Sequence, residues 1–153
     1  MNRIIYTLLA TSLIVLSGCG ERANDEVVKE TYIHKYGVNV SKKDWESRGS
    51  DGQVIQTLRS GTVITKSYEA GTLEGIITRT FPHSQTVQKV EIYADGTLVK
   101  ETENYPSGLP KQENEYISEN EYKTTMWYEN GSPRAIEGLQ GTLLADGKYY
   151  ICS

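Results

Sequence analysis

The sequence predicts an all-β protein: a single-layered antiparallel β-meander that lays down one strand and one turn about every twelve residues, with a short N-terminal helix. Three observations predict this fold. An aromatic residue followed by a turn sequence recurs six times, at spacings of 11 to 13 residues. The segments between these turns alternate polar and apolar residues, which is the period of a β-strand. Apolar residues make up 37 % of the chain, below the about 45–50 % of typical globular domains, so a thick core is not expected.

The chain begins with a segment typical of export. Arg3 is followed by a mostly apolar run over residues 4–16, which as a helix would reach about 20 Å, against about 30 Å for a bilayer core. The run is too short to span a membrane and predicts a signal peptide over residues 1–18. It closes with Leu16-Ser17-Gly18-Cys19, which resembles the lipobox of bacterial lipoproteins. The resemblance implies cleavage between Gly18 and Cys19 and acylation of the Cys19 thiol. The alternative is an ordinary cleaved signal peptide with an incidental cysteine.

Acylation of Cys19 would make the protein a lipid-anchored membrane protein of the cell envelope. Two or three acyl chains, such as palmitate, hold far more firmly than one, because each buried CH₂ contributes about 0.8 kcal/mol. Gly20 stands where lipoproteins of the inner membrane usually carry Asp, so the resemblance slightly favours the outer membrane in a bacterium that has one. Cys152 is the only other cysteine, and with Cys19 acylated it has no intramolecular disulfide partner. It is then a free thiol or an intermolecular partner.

The segments behind the anchor differ in composition. Residues 19–30 are polar and predict a tether between the membrane and the folded domain. Residues 31–50 predict an N-terminal cap. Within it, Ser41 followed by Asp44 indicates a helix N-cap, so we expect a short helix over residues 42–48, folded over the first strand through Trp45. Residues 51–153 predict the β-repeat domain, with an open sheet edge near Tyr149, Tyr150 and Ile151.

The turns of this domain should be tight hairpins, because Gly accepts positive φ and Asn or Asp tolerates it. Tight reversals place neighbouring strands antiparallel. The strongest signals for two-residue hairpins are Asp95-Gly96, Asn130-Gly131 and Asp146-Gly147. Weaker versions are Ala70-Gly71, Ser60-Gly61 and Ser107-Gly108.

Several phrases resemble a known repeat family. "YEAGTLEGIITRTF", "YADGTLVKETENY" and "YPSGLPKQENEY" resemble MORN-type repeats, in the variant found in bacterial YwqK-type proteins, which are often labelled antitoxins. Glu101 and Glu113 stand five positions after a turn Gly, as in that pattern. Phe81 and Tyr116 depart from it, because no Gly stands three positions later. The resemblance covers about residues 57–150 and implies a single-layered, twisted antiparallel sheet without catalysis.

The recurring aromatic residues are the candidate binding residues. They allow two interpretations: an aromatic ladder that contacts a partner, since Tyr is favoured in binding surfaces, or rings that pack the thin core against each other across strands. The series consists of Tyr68, Phe81, Tyr93, Tyr105, Tyr116 and Tyr128.

The remaining residues predict neither an enzyme nor a metal or cofactor site. The two histidines, His34 and His83, are far apart in sequence, and no known nucleophile, phosphate-binding or zinc-binding motif occurs. The neighbours His83 and Ser84 do not predict a catalytic pair, because adjacent strand residues point to opposite faces. The acidic pairs, Asp25-Glu26 and Glu113 with Glu115, are interpreted as solvated carboxylates.

The charge of the chain argues against nucleic acid as a partner. All 20 acidic residues follow position 18, whereas one of the 16 basic residues, Arg3, precedes it, so the chain after residue 18 carries a net charge of −5. Phosphate contacts require clustered Lys and Arg. The sequence thus predicts a membrane-anchored, non-catalytic scaffold that binds a protein partner, without a small-molecule substrate. The alternatives are a structural envelope component that binds lipid or glycan, or a YwqK-type antitoxin-like protein.

Overall fold

The computed structural model describes residues 25–118, 121–138, 141–144, 147 and 149–150. Within these residues the fold is one open antiparallel sheet of thirteen short strands with a single short helix, α1 (Lys42–Ser47), and this confirms the predicted fold class. The strands are β1 (Val27–His34), β2 (Asn39–Val40), β3 (Gly52–Leu58), β4 (Val63–Glu69), β5 (Thr72–Leu73), β6 (Gly75–Thr80), β7 (Val87–Ala94), β8 (Thr97–Asn104), β9 (Pro110–Ser118), β10 (Glu121–Trp127), β11 (Pro133–Gly138), β12 (Gly141–Leu144) and β13 (Tyr149–Tyr150).

The strand order is a meander with one exception at the N-terminal end. From β3 onward each strand pairs with the next one along the chain, and β5 and β6 both pair with β4. At the start, however, β1 lies between β2 and β3. The chain therefore crosses one face of β1 between β2 and β3, and α1 is the crossing segment that contacts β1.

Helix α1 confirms the predicted cap. The Ser41 hydroxyl accepts a hydrogen bond from the backbone N–H of Asp44 at 3.1 Å, which satisfies one of the free donors of the first turn. The helix ends at Ser47, one residue before the predicted end. Trp45 is 4 % exposed, and its ring packs on Tyr32 of β1 and Tyr68 of β4, at centroid distances of 5.9 and 6.2 Å.

The predicted tether is wrong for residues 27–30. These residues belong to β1, where Lys29 pairs with Thr57 and Glu30 pairs with Gln56 of β3. The sheet thus begins well before residue 51, the predicted start of the strand domain. The polar composition around "NDEVVKE" concealed β1, although its Val, Thr and Ile residues are good strand formers. The rest of the predicted tether that precedes Asp25 lies outside the described residues.

The aromatic–x–x–Gly phrase builds two different turns, one at each edge of the ribbon. At what we call the tight-turn edge, Ala70-Gly71 and Asp95-Gly96 are two-residue hairpins whose four φ angles are all positive, as type I′ turns require. At the opposite, long-turn edge the loops start at Leu58, Phe81, Tyr105 and Tyr128. In the loops that contain Gly61, Gly108 and Gly131, the Gly N–H donates to the carbonyl three residues earlier, at 2.8–2.9 Å.

The prediction of a two-residue hairpin at Asn130-Gly131 is therefore wrong. The Tyr128 N–H donates to the Ser132 carbonyl at 2.9 Å, which closes a three-residue loop. The Asn130 side-chain oxygen accepts from the Ser132 N–H at 3.0 Å, and this local bond favours a turn in which only Gly131 has positive φ. Ser60-Gly61 and Ser107-Gly108 likewise form three-residue loops. Asp146 lies outside the described residues.

The two faces of the ribbon are polar over much of their area. We call the face that carries α1 the helix face and the other the threonine face. Among the described residues only Trp45, Val54, Leu58, Ile77 and Ala135 are buried apolar residues, so pairing between strands supplies most of the packing. On the threonine face one row of successive cross-strand partners is β-branched except at one position: Thr31, Ile55, Thr65, Thr78, Val90, Thr102, Glu113, Thr125 and Ile136.

Candidate functional site

The six candidate aromatic residues do not form one ladder. Tyr68, Tyr93 and Tyr116 lie at the tight-turn edge, whereas Phe81, Tyr105 and Tyr128 lie at the long-turn edge. Members of the same row are two strands apart, which is about 9–10 Å. Among the described residues no ring–ring contact joins two of the six, and the ring partner of Tyr68 is Trp45. Neither predicted interpretation therefore holds for the series as a whole.

The six rings also differ in exposure. Tyr68, Phe81, Tyr93 and Tyr105 are half-buried. The Tyr105 hydroxyl donates to the Trp127 carbonyl at 3.0 Å and so ties the end of β8 to the end of β10. Tyr116 and Tyr128 are 37 % and 51 % exposed. The half-buried rings support the sheet, and the exposed ones are available to a partner.

A charged network occupies the helix face across β7, β8 and β9. Glu91 and Glu101 are direct cross-strand partners, an arrangement that alone would destabilise the sheet. Lys89 lies between them, with its ammonium 2.9 Å from Glu91 and 2.8 Å from Glu101. Burial opposes the charged form of Glu101, but hydrogen bonds from Lys89, Asn114 and Tyr116 outweigh it and lower the pKa of Glu101 to about 2.

The network continues into β10 through neutral groups. Glu101 accepts from the Asn114 amide and from the Tyr116 hydroxyl, both at 2.8 Å. The oxygen of Asn114 in turn accepts from the buried Thr124 hydroxyl at 2.7 Å. The bond to Glu101 also raises the pKa of Tyr116. Every one of these groups has a partner in the sheet, so the network stabilises the strands and holds the Tyr116 ring in place.

An exposed apolar patch lies next to this network at the tight-turn edge. Tyr116 of β9 and Tyr122 of β10 are direct cross-strand partners; Tyr122 is 54 % exposed and Ile117 is 63 % exposed. We call Tyr116, Ile117 and Tyr122 the tyrosine patch. Carboxylates surround it, since Glu101 keeps its charge, Glu115 has a 44 % exposed side chain, and Glu121 is exposed.

Sequence reasoning missed Tyr122 because it stands outside the twelve-residue spacing of the recurring aromatics. Only the register of β9 against β10 brings it opposite Tyr116.

An open cleft of about 440 Å³ lies at the long-turn edge, between the loops that start at Phe81 and Tyr105. Both rings line it. Its charged groups come from three adjacent strands and from Lys111 of β9. Lys111 is the extra residue of a β-bulge, since Glu103 pairs with Gln112 and Asn104 pairs with Pro110. Bulges re-aim side chains, and they are frequent next to functional sites. The cleft is lined mainly by Arg79, Phe81, Gln88, Lys89, Glu103, Tyr105 and Lys111.

The other acidic candidates take part in the sheet. Asp25 accepts from the backbone N–H of Ser60 at 3.0 Å and from its hydroxyl. These bonds lower the pKa of Asp25. Glu26 forms an ion pair with Arg59 at 2.5 Å. Glu113 and Glu115 contact the ammonium of Lys100 at 2.9 and 3.8 Å. The interpretation of these residues as simply solvated carboxylates is therefore wrong.

The histidines do not assemble a catalytic or metal site in the described part of the chain. His83 has a positive φ of 53° in its loop, where its N–H donates to the Gly61 carbonyl at 3.2 Å. The Ser84 hydroxyl accepts from the Thr86 N–H at 3.0 Å. His34 is buried at the end of β1. Within the described ranges no three His, Cys, Asp or Glu residues converge as a metal site would require, and no helix there could cross a bilayer.

The predicted lipidation and cleavage residues, Cys19 and Gly18, lie outside the described residues, as does Cys152. Comparison with known proteins does not assign the chain to a family: no family model matches it, and no curated protein is significantly similar to it.

Proposed function

We propose that this protein is a lipid-anchored, non-catalytic module of the cell envelope that binds a partner protein through the tyrosine patch. The exposure of two facing tyrosines and Ile117 is the observation that carries the proposal. Tyr is enriched where proteins bind each other, because its ring supplies contact area at a small entropic cost. The bond from Tyr116 to Glu101 lowers that cost further, because it orders the ring before binding.

The charges around the patch define the chemistry of the partner. Glu101, Glu115 and Glu121 form an acidic rim around an apolar centre. A partner surface with an apolar centre and a rim of Lys or Arg would complement it, and complementary charge speeds encounter and selects the partner. We therefore expect a basic protein surface rather than an acidic one.

The anchor and the repeats belong to the same proposal. The apolar run and Leu16-Ser17-Gly18-Cys19 support acylation of Cys19, which would hold the sheet at a membrane. The recurring turns support a relationship to MORN-type repeats of the YwqK variety, and the open single-layered sheet agrees with that resemblance. Substituting Cys19→Ser should release the protein from the membrane fraction; a variant that stays in that fraction would contradict the anchor.

Site-specific photo-crosslinking tests the binding function in intact cells. A p-benzoylphenylalanine at position 122 should give a protein adduct of discrete mass after illumination. The same residue at position 36 is the matched control, because Tyr36 is also an exposed tyrosine, at 80 %, but lies outside the patch. Ile117→Ala should weaken the adduct formed from position 122. An identical adduct pattern at both positions, or none at position 122, would refute the proposal.

A further inference from the structure

We infer that the cleft at the long-turn edge binds one acidic sugar residue of a glycan, that is, a hexose-sized ring that bears a carboxylate. The inference goes beyond the proposed protein-binding function and concerns a different surface. The cleft lies at the long-turn edge, whereas the tyrosine patch lies at the tight-turn edge, at the other end of the strands. Its volume of about 440 Å³ falls in the range of small-ligand sites.

The first argument is an uncompensated positive charge. Arg79 of β6 and Lys89 of β7 are direct cross-strand partners, and like charges in that position destabilise a sheet. Lys89 is neutralised by Glu91 and Glu101. Neither Arg79 nor Lys111 forms an ion pair with another residue of the described chain. A carboxylate held between Arg79 and Lys111 would remove the repulsion and form charge-assisted hydrogen bonds.

The second argument is the aromatic lining. Phe81 and Tyr105 come from successive loops of the long-turn edge, and both are half-buried in the cleft wall. The bond from the Tyr105 hydroxyl to the Trp127 carbonyl orders that ring. The face of an aromatic ring is electronegative, so it attracts the polarised C–H groups on the face of a sugar. A bare anion would leave both rings without a partner.

The third argument is an acceptor beside the cations. Glu103 is exposed, lines the same cleft and has no side-chain partner within the described residues. Its carboxylate can accept hydrogen bonds from sugar hydroxyls. It would also repel the second carboxylate of an acidic peptide, and the net charge of −5 after residue 18 adds to that repulsion. The cleft therefore favours a ring with one carboxylate and several hydroxyls over a run of acidic residues.

Ligand-observed NMR titration of the full-length chain tests the inference, with four probes: sodium glucuronate, glucose, inorganic phosphate and tetraglutamate. Glucuronate should bind saturably and about tenfold more tightly than glucose, because glucose lacks the charge-assisted bonds. Phosphate and tetraglutamate should bind more weakly than glucuronate. Phosphate that binds as tightly as glucuronate would show a simple anion site, and tighter tetraglutamate would show a peptide site. Either result, or no saturable glucuronate binding, would overturn the inference.

Matched substitutions then locate the bound sugar. Arg79→Gln and Lys111→Gln should each weaken glucuronate about tenfold, with little effect on glucose, because they remove only the contact to the carboxylate. Lys123→Gln is the control, because Lys123 pairs with Glu115 away from the cleft. An equal loss in all three variants, or none in Arg79→Gln and Lys111→Gln, would place binding elsewhere and overturn the assignment.

Discussion

At the scale of single residues, Glu101 decides how the centre of the ribbon responds to acid. It faces Glu91 across β7 and β8 and is compensated by Lys89, Asn114 and Tyr116. Its pKa is lowered from 4.5 to about 2 in the folded chain. A lowered pKa means that the folded state holds the charged form more tightly than the unfolded state does. The stabilisation is therefore complete above the unfolded pKa and is lost as the pH falls towards the folded one.

We predict that the free energy of unfolding falls between pH 4.5 and about 2, with a contribution from Glu101 on the order of 2 kcal/mol. Glu101→Gln should be less stable at pH 7, and its stability should depend less on pH over this interval. Urea unfolding followed by circular dichroism at several pH values measures both. Glu115→Gln is the control, because its lysine contacts are long, at 3.8 and 3.7 Å. Parallel pH curves for Glu101→Gln and the wild type would contradict the prediction.

Glycine at two positions shows how far a residue pattern alone predicts local structure. Gly96 could be assigned to a hairpin turn from Asp95-Gly96 alone, because a type I′ turn needs two residues that accept positive φ. Gly52 carries no such signal. Its φ is 123°, and a side chain there would approach the Ile33 carbonyl oxygen to 2.3 Å. That demand arises from the pairing of β1 with β3, which no local pattern contains.

At the scale of elements, α1 compensates for the missing second layer at the N-terminal end. It crosses from β2 to β3 and places Trp45 over Tyr32 and Tyr68, so three rings and the buried Val54 form the largest apolar cluster around one side chain there. The Ser41 cap and Trp45 predicted this helix correctly. The crossing itself was not predictable, because it follows from β1, whose polar surroundings resemble a tether.

We predict that Trp45→Ala lowers the free energy of unfolding by about 3–5 kcal/mol, as for other buried aromatic side chains, and that Ser41→Ala lowers it by about 1 kcal/mol. Lys43→Ala, at an exposed position of the same helix, should change little. Urea unfolding gives all three values. If Trp45→Ala lost less than the cap variant, the helix would be an appendage rather than a cover for β1 to β4.

The bulges explain why both candidate surfaces escape prediction from the sequence. A single extra residue, Gln88, Lys111 or Arg134, follows each long-turn loop of the repeat region, and the registers that result bring Arg79, Glu103 and Lys111 to one cleft. The turn sequences predict where strands end, but a one-residue shift in pairing leaves the spacing of turns almost unchanged. The cleft and the position of Tyr122 therefore appear only when the strands are paired.

At the scale of the whole molecule, the ribbon is a chain of nearest-neighbour interfaces. Beyond the crossing at α1, the extensive contacts join strands that are adjacent in the sheet, and few side chains are buried. In such an architecture stability is approximately a sum of local and neighbour terms, and a lesion spreads along the array only through the interfaces that it touches. The ends should open more readily than the centre, because each terminal strand has one neighbour.

We predict that Ile77→Ala acts mainly on its own section of the sheet. Ile77 of β6 is 5 % exposed and pairs with Glu91 of β7, so its truncation should cost about 2–5 kcal/mol. Native-state hydrogen exchange should accelerate most for amides of β6 and β7 and least for those of β10 and β11. Ile136→Ala, at a 39 % exposed position, should change exchange little. Equal acceleration in every strand would instead mean that the ribbon unfolds as one cooperative unit.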